Sequence, residues 1–180
     1  MKASNLPLMA TLFRILIVPV IVLIMIYKPP YWATICSFLF IIASITDWLD
    51  GYLARKLNSV TTMGKLLDPI ADKVLVSSVL VMFIPLDWFE AIGVLLLINR
   101  DVIIGGVRSM AASQNLIIDA GTLGKWKTTL QMIAIPSLFF ANDFSFLPFQ
   151  EVGYYGLWLS VVLSLVSGFQ YFMAFSRSNK

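Results

Sequence analysis

The stretch that decides the fold and chemistry of this chain is TDWLDGYLARKLNSVTTMGKLLDPIADK, residues 46–73. It contains four aspartates, yet the flanking segments, ATICSFLFIIASI before it and VLVSSVLVMFIPL after it, are apolar enough to face lipid. Asp47 and Asp50 are three residues apart, and Asp68 and Asp72 are four apart. Residues at these spacings share one face of an α-helix. The pattern therefore predicts two helices that each carry an acidic pair.

The short polar segment NSVTTMG, residues 58–64, connects these two helices, which we expect to pack side by side. The second of them should start near 64–68, so that Pro69 falls in its first turn, where proline is tolerated. Four carboxylates that meet in this way repel one another unless a cation neutralises them. Hard divalent cations bind carboxylate oxygens, and two ions can share them. The motif predicts a site for one or two metal ions.

Small and polar residues accompany the aspartates. Gly51 and Gly64 leave room for a ligand to approach the backbone. Arg55 offers a guanidinium that can bind a phosphate, and Thr61 offers a hydroxyl. These residue types are those expected around a phosphorylated substrate.

Two other interpretations of the acidic residues stay open. Acids near helix ends are often solvated, or paired with neighbouring Lys and Arg, and a cation or proton pathway also uses carboxylates. Ionisable groups in membrane segments are functional as a rule. Transport sites usually lie near the bilayer midplane, whereas these acids lie at the ends of apolar runs. The position favours chemistry at the membrane surface.

The composition is that of an integral membrane protein. Of 180 residues, 59% are hydrophobic and 13% charged, and the mean hydropathy is +0.86, whereas soluble domains carry about 25% charged residues. The apolar runs do not alternate as in a β-barrel, and a spanning helix needs about 20 residues. We expect an all-α bundle of six transmembrane helices forming a single domain, 1–180, from the runs 8–27, 31–54, 68–86, 88–112, 124–142 and 152–174.

The distribution of charge predicts the orientation. Six spans place both termini on one side, together with the 55–73 and 100–127 segments. That side holds most of the cations: Lys2, Arg14, Arg55, Lys56, Lys65, Lys73, Arg100, Arg108, Lys125, Lys127, Arg177 and Lys180. The other side has Lys28 with Asp87, Glu90, Asp143 and Glu151. Cationic loops are cytoplasmic, so the termini and the aspartates are expected there. The basic charge is a topology signal, and no nucleic-acid motif is present.

Histidine is absent and Cys36 is the one cysteine. The lack of histidine excludes His-based triads and His metal sites. Asp and Glu are left as the acid and base groups.

The aspartate motif resembles the signature of the CDP-alcohol phosphotransferases. It has the form D-x2-D-G-x2-A-R-x8-G-x3-D-x3-D, from Asp47 to Asp72. The segments NLPLMATLFRILIVP, INRDVIIGGVRSMAA and GTLGKWKTTLQM are similar to segments of bacterial members that use glycerol 3-phosphate. The resemblance implies six membrane helices, a bacterial cytoplasmic (inner) membrane and a homodimer. It also implies transfer of the phosphatidyl group from CDP-diacylglycerol to an alcohol, with release of CMP.

The same resemblance assigns roles by motif position. Asp47, Asp50, Asp68 and Asp72 would ligate Mg²⁺ or Mn²⁺, as two ions, and Asp72 would also be the general base. The CDP-diacylglycerol site would be formed by Gly51, Ala54, Arg55, Thr61 and Gly64.

The acceptor alcohol is indicated by basic residues in the second half of the chain. Arg100, Arg108, Lys125 and Lys127 can bind the phosphate of glycerol 3-phosphate. Arg100 and Arg108 are two turns apart and share a helix face, whereas Lys125 and Lys127 diverge. Positive-inside topology and lipid headgroups explain such cations as well. Inositol phosphate, serine or phosphatidylglycerol as acceptor, and a cation-coupled transporter, are the alternatives. The acceptor site has Asp101 after Arg100, where glycerophosphate-using relatives commonly have Glu.

Overall fold

The computed structural model describes residues 6–56, 62–113, 122–144 and 146–178. Within these, side chains are described for 13–46, 71, 73–111, 113, 123–144 and 146–177. All regular structure in this part of the chain is helical, which confirms the all-α class. The six helices are α1 (Leu6–Tyr27), α2 (Trp32–Lys56), α3 (Thr62–Phe83), α4 (Ala91–Ser113), α5 (Thr122–Asp143) and α6 (Phe149–Ser178).

Each predicted apolar run lies largely within one of these helices, but the start of α3 was predicted too late. The helix begins at Thr62, not near 64–68. Pro69 therefore lies inside α3, beyond its first turn. Because proline has no backbone N–H, the helical hydrogen bond to the carbonyl of residue 65 is lost there. Residues 62–64, which we expected to belong to the connection at 58–64, instead lie in the helix.

The helices pack around α1 and α5. Helix α1 contacts both α2 and α3, α5 contacts α2 and α6, and α4 contacts α6 and, to a smaller extent, α3. The fully buried side chains at these contacts are large and apolar, including Ile21, Phe40, Phe83, Phe139 and Leu157. We expected direct packing of α2 on α3. That packing involves the helix ends at residues 47–56 and 62–72, whose side chains, apart from Ala71, lie outside the described set, so it stays a prediction.

The end of the bundle away from the aspartate motif is held by aromatic rings and acids. Trp32 stacks on Trp88 with ring centroids 5.4 Å apart, and Phe139 contacts both rings edge-on. The Asp143 carboxylate accepts hydrogen bonds from the backbone N–H of Thr34, at 3.0 Å, and from its hydroxyl. It therefore caps the first turn of α2 from the end of α5. These contacts fix the helix ends that lie opposite the aspartates.

Large apolar side chains cover much of the outer surface. Leu16, Val102 and Phe169 are each about two-thirds exposed, as expected for a surface that faces lipid. One described helical segment, Phe149–Arg177, is long and apolar enough to cross a membrane. Three shorter apolar segments are Phe13–Tyr27, Trp32–Thr46 and Lys73–Leu86. The count of six spans stays a prediction.

Candidate active site at the basic end of the bundle

The aspartate motif lies at one end of the bundle, on two successive helices. Asp47 and Asp50 belong to the last turns of α2, together with Gly51, Ala54 and Arg55. Gly64, Asp68 and Asp72 belong to the first half of α3. Because both segments are helical, the members of each acidic pair are one turn apart on one face. The side chains of these eight residues lie outside the described set, and Thr61 lies outside the described residues altogether.

The four aspartates fit a divalent metal by the chemistry of their donors. They supply only carboxylate oxygens, the ligands that Mg²⁺ and Mn²⁺ prefer, and the helical backbone keeps the spacing on which the prediction depends. Among the residues with described side chains, no three His, Cys, Asp or Glu come together as metal ligands. The motif is therefore the candidate metal site of this chain.

Lys73, Arg100, Asp101 and Lys127, which we name the basic cluster, lie next to the motif, with Asp101 at the centre. One Oδ1 atom of Asp101 accepts hydrogen bonds from Arg100, with an NH1–Oδ1 distance of 3.1 Å, and from the ammonium of Lys127 on α5. The Lys127 side chain is nearly fully buried. Two of the four cations predicted to bind an acceptor phosphate are thus held by a single carboxylate.

The guanidinium of Arg100 is also anchored on α6. Its Nε donates to the carbonyl of Ser164 at 2.9 Å, and its NH2 donates to the hydroxyl of Ser167 at 2.7 Å. Gly168 is the residue that lets the side chain lie so close to α6, since a Cβ there would be 3.1 Å from Arg100 Nε. The guanidinium is therefore held at fixed depth between α4 and α6.

Lys73 connects the basic cluster to the aspartate motif. It follows Asp72 in the chain, and its Nζ donates to the backbone carbonyl of Asp101 at 3.0 Å. Gly105, one turn along α4, leaves the space for this ammonium, because a Cβ there would be 2.9 Å from Nζ. The residue after the last motif aspartate thus touches the residue that pairs Arg100 with Lys127.

The other two predicted cations lie apart from this cluster. Arg108 is two turns along α4, with its guanidinium carbon 5.7 Å from the centre of the Tyr171 ring on α6. Its exposed position over an aromatic face is a cation–π contact. Lys125 is exposed, whereas Lys127 is buried, in keeping with their two-residue separation. The structure therefore brings together Arg100 and Lys127 and separates them from Arg108 and Lys125.

Sequence reasoning gave no site role to Lys73 or Asp101. In the sequence, Lys73 contributes to the topology signal and Asp101 stands next to Arg100. The feature of the sequence that points to a site role for Lys73 is its position one residue after Asp72. For Asp101, the signal was an acid among basic residues in an apolar run.

The charges of the basic cluster suit a phosphate. Three cations and one carboxylate leave an excess of two positive charges, close to the charge of a phosphate monoester dianion. In a largely apolar bundle such an excess attracts an anion more strongly than it does in water. The basic cluster can therefore hold an anion near the acidic motif.

The family model for CDP-alcohol phosphatidyltransferase matches residues 4–166. The chain belongs to this family. Its members are membrane-embedded enzymes that generally use divalent metal ions. The predicted family resemblance and the enzyme class are therefore confirmed.

Individual relatives are similar over most of the chain. A CDP-diacylglycerol–glycerol-3-phosphate 3-phosphatidyltransferase from Bacillus subtilis is 40% identical, with 93% of each chain covered. An enzyme of the same name from Rickettsia bellii is 39% identical, with 95% of each chain covered. A CMP-forming cardiolipin synthase from rice (Oryza sativa subsp. japonica) is 37% identical over 83% of this chain and 50% of its own length.

Proposed function

We propose that this chain transfers the phosphatidyl group of CDP-diacylglycerol to glycerol 3-phosphate and forms phosphatidylglycerophosphate and CMP. The observation that carries the acceptor is the hydrogen bond from Lys73 to the Asp101 carbonyl. This bond joins Lys73, the residue that follows Asp72, to the cluster whose cations suit a phosphate monoester. The names of the bacterial relatives, which match almost the full chain, support the same acceptor.

The reaction needs a base, a bound nucleotide and a bound acceptor. Asp72 takes the proton of the acceptor hydroxyl. The hydroxyl oxygen then forms a bond to the phosphorus that carries diacylglycerol, and the pyrophosphate P–O bond breaks, so that CMP leaves with the bonding electron pair. Arg100 and Lys127 hold the phosphate of glycerol 3-phosphate, with Arg108 and Lys125 further out on the same basic side.

The CDP-diacylglycerol site uses the rest of the motif. Gly51, Ala54 and Gly64 leave space for the nucleotide, and Arg55 and Thr61 donate hydrogen bonds to it. Asp47, Asp50, Asp68 and Asp72 would hold Mg²⁺ or Mn²⁺, as two ions. When bound, such ions neutralise charge on the pyrophosphate and assist the departure of CMP.

The proposed setting is the cytoplasmic leaflet of a bacterial inner membrane. Six spans put both termini and the basic cluster on the cytoplasmic side, where the water-soluble acceptor is available. CDP-diacylglycerol reaches the same depth from the bilayer, since its headgroup lies at the interface. The resemblance to the family further implies that the chain forms a homodimer.

A second acceptor is favoured by one observation, the similarity to the rice cardiolipin synthase. This second acceptor would be phosphatidylglycerol, whose phosphodiester carries a single negative charge. The two excess positive charges of the basic cluster match a monoester dianion better. For this reason we place glycerol 3-phosphate first.

The test is CMP release by the purified protein with CDP-diacylglycerol and Mg²⁺ across four acceptors: glycerol 3-phosphate, inositol phosphate, serine and phosphatidylglycerol. We expect release with glycerol 3-phosphate alone. Release with a different acceptor would keep the chemistry and overturn the substrate. No release from folded protein with any acceptor would favour an acceptor outside this panel or the transporter alternative, which predicts no nucleotide dependence.

A further inference from the structure

We infer that Asp101 is a positioning residue for the acceptor phosphate. Its carboxylate holds Arg100 and Lys127, and its backbone carbonyl holds Lys73, so that the three cations stay together. The inference deepens the proposed function and rests on it. Asp101 carries the same charge sign as the substrate, so it is not itself a ligand for the phosphate. Its effect on the substrate must pass through the three cations.

Burial of Lys127 is the first step of the argument. Its side chain is 4% exposed, and an ammonium at that depth is costly unless it is paired. Without the Asp101 carboxylate, the flexible stem of Lys127 would carry its head toward water. Asp101 therefore keeps this charge beside Arg100, against the repulsion between the two cations.

Arg100 gives the second step. Its described hydrogen bonds use one N–H each from Nε, NH1 and NH2, to Ser164, Asp101 and Ser167. A guanidinium has five N–H donors in a rigid plane. The three bonds fix that plane, and with respect to the described residues two donors are left to bind phosphate oxygens. Loss of the Asp101 bond would release one edge of the plane.

Lys73 gives the third step, because it uses the backbone of the same residue. Its bond to the Asp101 carbonyl ties α3 to α4 at the level of Asp72. Since α5 is tied to Asp101 through Lys127 and α6 through Arg100, four helices meet at this residue. A shift of Asp101 would therefore change the distance between the acceptor cations and the motif.

Charge balance alone predicts the opposite effect of neutralising Asp101 on phosphate binding, and this difference makes the inference testable. If Asp101 acted only as a nearby negative charge, its neutralisation would strengthen binding of a phosphate dianion. If it positions the cations, its neutralisation weakens that binding although the net charge becomes more favourable. The sign of the change in KM separates these two roles.

The experiment compares purified Asp101→Asn with wild type, with CDP-diacylglycerol and glycerol 3-phosphate each varied. We expect KM for glycerol 3-phosphate to rise about 10-fold or more, as for loss of a hydrogen bond to a charged group. KM for CDP-diacylglycerol should stay at the wild-type value. Asp101→Glu, which restores the charge, should recover part of the loss. The matched control is Asp143→Asn, a structural acid at the opposite end, which should leave both KM values unchanged.

Unchanged or lower KM for glycerol 3-phosphate in Asp101→Asn would overturn the inference. If that variant does not fold, the double variant Asp101→Asn with Lys127→Gln removes the unpaired ammonium. Because Asp101 also holds Arg100, the inference predicts a higher KM for glycerol 3-phosphate in the double variant than in Lys127→Gln alone, and an equal or lower KM would contradict it. No turnover of glycerol 3-phosphate by wild type would refute the proposed function and this role with it, whereas turnover with equal KM values would refute this role alone.

Discussion

Arg100 and Gly168 lie in contact across the α4–α6 interface, so closely that a Cβ at position 168 would be 3.1 Å from Nε and 3.3 Å from Cγ of Arg100. A contact at these distances would be tighter than ordinary packing, and the same Nε donates to the Ser164 carbonyl. The position of the guanidinium thus depends on a missing side chain one turn further along α6. The absence of a side chain at Gly168 thus helps to fix the position of Arg100, a cation predicted to bind substrate.

Gly168→Ala should therefore weaken acceptor binding without unfolding the protein. The added methyl group displaces Arg100 by a few tenths of an ångström and distorts its bond to Ser164. We expect KM for glycerol 3-phosphate to rise about fivefold, which corresponds to the loss of one ordinary hydrogen bond. Alanine favours helix over glycine by about 1 kcal/mol, so thermal stability should not fall in parallel. The control is Gly124→Ala on α5, where a Cβ meets open space. Equal KM values in the two variants would contradict the role of Arg100.

Gly105→Ala tests the connection through Lys73. A Cβ at position 105 would be 2.9 Å from Lys73 Nζ, the flexible end of a long side chain. The amine can move away at small cost in stability, but its bond to the Asp101 carbonyl is then lost. We expect a rise of severalfold in KM for glycerol 3-phosphate, about the effect of one hydrogen bond, with stability unchanged or higher.

The neighbouring glycine is a matched control for this prediction. Gly106 is on the same helix, and a Cβ there would meet nothing within 4 Å. Gly106→Ala should keep wild-type kinetics. If Gly105→Ala also kept them, Lys73 would have no part in acceptor binding.

Sequence reasoning could predict the parts of this molecule that depend on local pattern. The apolar runs gave the six helices, and the i,i+3 and i,i+4 spacings gave the helical placement of Asp47, Asp50, Asp68 and Asp72. The roles of these aspartates stay predictions. The bonds within the basic cluster could not be predicted, although Arg100 and Lys127 were candidates, because they join residues distant in the chain, such as Lys73 and Asp101 across 28 positions.

The Asp143 cap should make stability depend on pH. Partial burial raises the pKa of this carboxyl, but hydrogen bonds from Thr34 and Asn142 outweigh that effect and hold the pKa below its ordinary value. A depressed pKa stabilises the fold above the pKa of the unfolded carboxyl, about 3.9, and the contribution is lost as pH falls through the folded pKa. Wild type should therefore melt above Asp143→Asn at neutral pH in detergent, and the difference should shrink below about pH 4. A difference in melting temperature that stays constant from pH 7 to the acid range would contradict the assignment.

Asp72→Asn gives the most direct test of the reaction itself. Asparagine keeps the size of the side chain but cannot accept the proton of the acceptor hydroxyl. Loss of a general base costs about 10²- to 10⁴-fold in rate, so kcat for CMP release should fall by at least that range, because Asp72 is also a predicted metal ligand. The matched control is Asp87→Asn, an exposed aspartate at the opposite end of the bundle. It should keep wild-type kcat.

Chelation separates the two roles of Asp72. Removal of divalent ions from wild type should abolish CMP release, and added Mg²⁺ should restore it, whereas Asp72→Asn should stay inactive at saturating Mg²⁺. Recovery of wild-type kcat by the variant at high Mg²⁺ would mean that Asp72 acts through the metal alone and that another group takes the proton. Full activity of wild type after chelation would instead remove the metal from the proposal, and with it the reason for four carboxylates on two adjoining helix ends.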